Sequence, residues 1–229
     1  MGRKIVLALI EMRMEQKIVM CNKKFRDFEV NCFLAYLTSC VVLSFAPYRF
    51  SVWLVENVTI WLFLSIVVLI RIKYYTFSNI SILIITWASI LHTIGGHYSF
   101  SHVPFGDFLF LWGEVGRNNF DRFGHFFCGA LIYPILDISS GKKIFANNFI
   151  MFLFSFLALM GIAGIYELVE WLDFIIAEKK HAELFIGNLD YWDPHADMLN
   201  CLCGAVIFGI IFYLGNVKNR NQTDNRLNN

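Results

Sequence analysis

Six apolar runs, each close to the length that crosses a bilayer, occupy most of this chain: residues 30–46, 52–70, 80–95, 120–136, 149–172 and 198–214. In hydrocarbon every backbone N–H and C=O must find its partner within the chain, and runs approaching ~20 residues do so as helices. The expected fold is therefore all-α, a polytopic membrane helix bundle of about six transmembrane helices. A composition of 57% hydrophobic residues and a mean hydropathy of +0.56 agree, and the lipid bilayer is the first expected partner. The net charge of +1 gives no electrostatic footprint for nucleic acid, and no nucleic-acid partner is expected.

Three regions follow from this pattern: a basic N-terminal arm (1–29), a six-helix transmembrane domain (30–216) and a polar tail (217–229). The arm holds Arg3, Lys4, Arg13, Lys17, Lys23, Lys24 and Arg26, and its one apolar stretch, 5–10, is shorter than the ~7–15 residues of a signal-peptide core. Short loops carry most of the remaining Lys and Arg on one side: Arg71 and Lys73, Lys142 and Lys143, then Lys218, Arg220 and Arg226. By the positive-inside rule that side is cytosolic, together with both termini. The end of segment three, the start of four, the end of five and the start of six then share the outer surface.

The unusual polar residues sit at those four ends. Segment four opens with NNFDRFGHFF, in which Asp121 and His125 stand one helical turn apart on one face. Ionisable groups inside a membrane are costly and mark functional sites by default. The plainer alternative is an Asp at a helix start and a His at headgroup level. Segment three ends in HTIGGHYSF, where His97 beside Gly95 and Gly96 reads either as a ligand on a tight turn or as a loop histidine. The roughly 25 residues that follow are many for a connection, and their Phe, Trp and Gly content suggests a folded loop at the interface.

Segment five ends in YELVEW, with Glu167 and Glu170 at i, i+3 on a shared face. Two carboxylates so placed repel unless protonated, hydrogen-bonded or bridged by a cation. Gly161 and Gly164 just before them would let a neighbouring helix approach. Segment six opens with YWDPHADM; Asp193 reads as an N-cap before Pro194, while Asp197 and Asn200 extend its polar face into the apolar run. Glu56, near the start of segment two, is expected at headgroup level. The cysteines, most of them inside apolar segments, read as small hydrophobes, and Cys201-x-Cys203 lacks zinc-finger spacing.

These phrases, in this order and spacing, resemble the YjdF-type bacterial inner-membrane proteins, over nearly everything from segment one to segment six. The resemblance implies a multi-pass protein of the bacterial inner membrane and brings no established activity, substrate or metal. One departure is His195-Ala196, where the family more often carries a Gln-containing pair, so His195 is left out of the site. Asp-x-x-x-His in one helix, an acid in the next, and an Asp and Asn opening the last are also similar, more distantly, to VanZ-like membrane proteins.

Two functions fit these residues. In the first, His97, Asp121, His125, Asp193 and Asp197 hold a divalent metal, Zn, Mn or Fe, and Glu167 and Glu170 do the proton chemistry of a metal-dependent hydrolase acting on a lipid or other envelope substrate. That arrangement is similar in architecture alone to membrane-embedded zinc lipid hydrolases of the ceramidase kind. In the second, the same cluster binds a cation or small ligand for transport or envelope resistance without catalysis, Arg122 neutralising Glu167 or Glu170. The absence of mid-membrane Gly or Pro breaks in segments four and five is expected to count against a transporter.

Overall fold

The computed structural model describes residues 26–109, 116–180 and 192–227. Among them there are helices and no strands: α1 (Asp27–Val42), α2 (Phe50–Lys73), α3 (Asn79–Tyr98), α4 (Phe120–Gly129), α5 (Ile132–Gly141), α6 (Asn148–Lys180) and α7 (Asp193–Leu227). Five stretches are long and apolar enough to cross a membrane, α4 and α5 together making one of them. The sixth expected span is α1, whose 16 residues reach only about 24 Å at ~1.5 Å per residue, against a hydrocarbon core of ~30 Å. It lays Tyr36 and Cys40 on the bundle and turns Phe33, Leu34, Leu37 and Val41 outward. Most of the expected arm, residues 1–25, lies outside the described residues. At the other terminus no backbone break marks the expected boundary at 216, because α7 continues to Leu227.

Exposure separates the outer helices from the inner ones. Leu62 and Ile66 of α2 and Ile162 and Ile165 of α6 are more than half exposed, as lipid-facing side chains must be. The inner face of α4 meets α3 on one side and α7 on the other. A Cβ on Gly129 would collide with the carbonyl of Cys201, and one on Gly204 with the carbonyl of Phe126, so α4 and α7 touch backbone to backbone. Lipid offers no hydrophobic drive for helix association, and small residues that admit close packing supply the dispersion contact instead. Gly209 does the same more loosely against the ring of Phe152. The pair Gly161 and Gly164 does not: nothing lies within 4 Å of a Cβ at Gly161, and Gly164 meets only the end of Met198, because that face of α6 looks away from its neighbours.

Segment four is interrupted, contrary to the expectation of an unbroken helix. Ala130 and Leu131 form a turn between α4 and α5, with Ala130 O accepting from Tyr133 N at 3.0 Å in place of a four-residue bond. Pro134 has no N–H to donate to Ala130, and its ring crowds that carbonyl, which explains the break four residues upstream of it. Helix α3 ends on two left-handed residues, Ser99 (φ 51) and Phe100 (φ 52), with Phe100 N donating to Gly95 O at 2.7 Å. This reversal folds the Phe100 ring onto Gly95, where a Cβ would overlap it. The described parts of the connection that follows, residues 99–109 and 116–119, fold against each other, and residues 110–115 lie outside the described residues: Val103 and Gly106 are buried, and Asn118 and Asn119 bond to the carbonyls of Val103 and Gly106 at 2.8 and 3.1 Å.

Candidate functional site

Close contact of α4 with α7 sets Asp121 and His125 alongside Asp197, and the inward edge of α6 brings Glu167 and Glu170 to the same place. One ligand atom each from Asp121, His125 and Asp197 fall within 4.8 Å of one another, and so do one each from His125, Glu167 and Glu170. His125 belongs to both groups. Its Nε2 lies 3.6 Å from Asp121 Oδ1, and its Nδ1 lies 3.2 Å from Glu167 Oε1, without the alignment of a hydrogen bond. The imidazole is thus a partition with carboxylates on either side.

Burial is what makes this arrangement costly. Asp197 is 2% exposed and Glu167 4%, yet Asp197 Oδ1 and Glu167 Oε1 have no hydrogen-bond partner among the described residues. A buried polar oxygen without a partner loses its water and receives nothing in exchange, a cost of ~1–3 kcal/mol, more for a charged group. Four carboxylates, Asp121, Asp197, Glu167 and Glu170, surround one imidazole. The nearby guanidinium groups are committed elsewhere: Arg117 pairs with Asp193, and Arg122 lies 3.8 Å from the same carboxylate and 3.5 Å from Asn119 Oδ1.

Two expected ligands therefore stand apart. Asp193, in the first turn of α7, is held by Arg117 and Arg122 and falls in neither group. The expected pairing of Arg122 with Glu167 or Glu170 is replaced by this one. His97 lies in the last turn of α3 and not on a loop, and its Nδ1 is 2.8 Å from the carbonyl of Leu43, the residue that caps α1. A helix end leaves carbonyls without intrahelical partners, and His97 takes one of them. Asn200 likewise turns to its own helix, donating to Ala196 O at 2.9 Å.

A group that the sequence reading left outside the site lies next to the cluster. Glu56 of α2 is buried, not at headgroup level; its Oε2 is 2.7 Å from His92 Nε2 and accepts from the Tyr166 hydroxyl at 3.1 Å. The Tyr166 ring is 6.2 Å from that of His92 and 6.4 Å from that of His125, so it stands between the pair and the cluster. Gly96 makes room, since its Cβ position is 3.0 Å from Glu56 Cβ. A glutamate interrupting the apolar run 52–70 was itself a signal, for a charge there has to face a partner.

Comparison with known proteins bears on the whole of this helical assembly. Residues 28–218 match the family described as "Predicted membrane protein (DUF2238)". The chain belongs to this family. It is also 31% identical over 158 residues to "Inner membrane protein YjdF" of Escherichia coli (strain K12), a likeness that covers 67% of this chain and 74% of that protein. No solved structure matches. This DUF2238 protein is thus a multi-pass inner-membrane protein embedded in lipid, with a His and carboxylate cluster at one end of its bundle.

Both of its residue groups could hold a metal ion. They combine one imidazole with several carboxylates, a donor set suited to Zn²⁺, Mn²⁺ or Fe²⁺. One cavity among the described residues lies elsewhere. It is an apolar groove of about 400 Å³ among α5, α6 and α7, lined by Phe149, Phe152, Phe156 and Tyr213, and has the character of a lipid-contacting surface.

Proposed function

We propose that this protein is a divalent-metal-dependent membrane hydrolase acting on a lipid or other envelope substrate at the extracytoplasmic surface. The observation that carries the reading is the pair of buried oxygens, Asp197 Oδ1 and Glu167 Oε1, that lie beside the His125 imidazole with no hydrogen-bond partner among the described residues. Asp121, Asp197 and His125 through Nε2 form the ligand set, and Glu167 lies 3.2 Å from the far nitrogen. A divalent ion held there supplies Lewis acidity and lowers the pKa of a bound water to about 7, enough for attack on an ester, amide or phosphoester at neutral pH. Glu170, one turn beyond Glu167, would be the carboxylate placed to accept a proton from the nucleophile there. The basic character of the opposite end of the bundle supports an outward-facing site.

Elemental analysis of purified protein tests the ligand set. Stoichiometric metal in wild type, reduced in Asp121→Ala and His125→Ala and retained in full in the exposed control His195→Ala, is the expected result. Metal absent from wild type, or unchanged in both variants, overturns it in favour of a protonated polar cluster. The hydrolytic step is tested with metal-loaded protein in vesicles of phosphatidylethanolamine and phosphatidylglycerol, read by mass spectrometry of released headgroups.

The break at Ala130–Leu131 favours a second reading, cation or small-ligand binding and transport, because interrupted helices are how transporters build midplane sites. Intact vesicle lipid with metal-loaded protein would select that reading.

A further inference from the structure

We propose that the cluster holds two divalent cations, one on each side of His125, the second seated between Glu167 and Glu170. This rests on the metal-binding reading above and deepens it. His125 is common to two separate ligand groups, Asp121 with Asp197 on one side and Glu167 with Glu170 on the other, and each group closes to within 4.8 Å. The two sides are distinct in the geometry, since Nε2 is turned to Asp121 and Nδ1 to Glu167. Each side also has its own buried oxygen without a hydrogen-bond partner, Asp197 Oδ1 on the first and Glu167 Oε1 on the second. A single ion would satisfy one of these and leave the other.

Charge leads to the same count. Asp193 is matched by Arg117 and Arg122, and Glu56 has His92. Two guanidinium groups exceed the one charge of Asp193 by one, so the four remaining carboxylates around a neutral imidazole keep a net three negative charges; one dication still leaves negative charge buried there, and a second offsets it. A neutral imidazole has one lone pair for a metal. The ion beside Asp121 and Asp197 therefore takes the nitrogen, and the one beside Glu167 and Glu170 is held by oxygen alone. Oxygen-only coordination suits harder ions such as Mn²⁺, Mg²⁺ or Ca²⁺, so the two positions differ in preference. A glutamate that binds through one oxygen keeps the other for a proton, and Glu170 retains the role given to it above.

Detergent-purified protein, stripped with chelator and reloaded with Mn²⁺ alone, is analysed for bound manganese per chain. Two ions are expected in wild type, one in Glu170→Gln and one in Asp197→Asn, with Glu170→Asp restoring the second. One ion in wild type overturns the second position and leaves the single-ion reading standing. No ion in wild type overturns both. Loss of both ions together in Glu170→Gln, with the protein still monodisperse and unfolding cooperatively, overturns the division into two pockets. The wild-type count depends on no variant's folding.

Discussion

At the end of the bundle where α1 begins, the described acids withdrawn from solvent, buried Glu29 and half-buried Asp137, have found their partners. Glu29 receives Arg71 Nε at 2.9 Å and Arg26 at 2.8 Å. Asp137 accepts from the Tyr75 hydroxyl, the backbone of Ser78 and the hydroxyl of Ser81, at 2.9, 2.7 and 2.6 Å. Ser78 in turn caps α3, and Lys142 lies over the ring of Tyr74. At the other end the acids outnumber their partners, and two buried oxygens have none. The same residue type thus does opposite things in one molecule. Where arginine, serine and tyrosine close around a carboxylate, it pins helices together; where they do not, the carboxylate costs stability, and a ligand is the physical reason to keep it.

The sharpest way to break this comparison is to unpair the satisfied end. Arg71→Met should leave Glu29 buried with only half-exposed Arg26 and cost about 3 kcal/mol, read by thermal unfolding in detergent. Restoring most of that loss with Glu29→Leu in the same chain would show that the pair, and not the arginine stem, carries the effect. A fall below ~1 kcal/mol in Arg71→Met would place this pair with ordinary surface ion pairs and erase the contrast.

At the cluster end the sign should reverse. Asp197→Asn removes one of four crowded charges, so without metal its stability should equal or exceed that of wild type. With free metal at a hundredfold excess over its dissociation constant, wild type should gain about 2.7 kcal/mol that the variant lacks. Equal destabilisation of Asp197→Asn with and without metal would make Asp197 a structural residue like Glu29.

A smaller effect separates the two histidines first paired by sequence. His97→Ala should leave metal content unchanged and cost about 1 kcal/mol, the worth of one bond to the end of α1. Loss of metal in His97→Ala, measured by elemental analysis, would mean that the contact of His97 with the end of α1 is coupled to the cluster.

The smallest expected effect is at alkaline pH. Burial above all, and then its bond to the Asp137 carboxylate, raise the Tyr75 hydroxyl above its ordinary range. A folded-state pKa above the unfolded one gives stability that is complete below about pH 10 and is lost as pH rises further. Tyr75→Phe should flatten that alkaline limb in a melting-temperature profile while leaving neutral pH nearly unchanged. An unaltered alkaline limb would remove Tyr75 from the closed end.

The sequence by itself determined that the chain is a bundle of membrane helices, because uncharged runs of this length have no other way to satisfy their backbone in lipid. It also determined that Asp121 with His125, and Glu167 with Glu170, share faces, because spacings of four and three residues fix neighbours on any helix. Only the tertiary structure decided which helices meet. Glu56 and His92 are 36 residues apart and solitary in their runs, so no local period joins them. His97 and Asp193 read in sequence as ligands like those of the cluster, yet the carbonyl of Leu43 and two arginines claim them, and those partners arrive from distant parts of the chain. Backbone contact at Gly129 and Gly204 is what sets Asp197 beside Asp121, and a glycine's purpose is legible only when the atom that would strike its missing side chain is known.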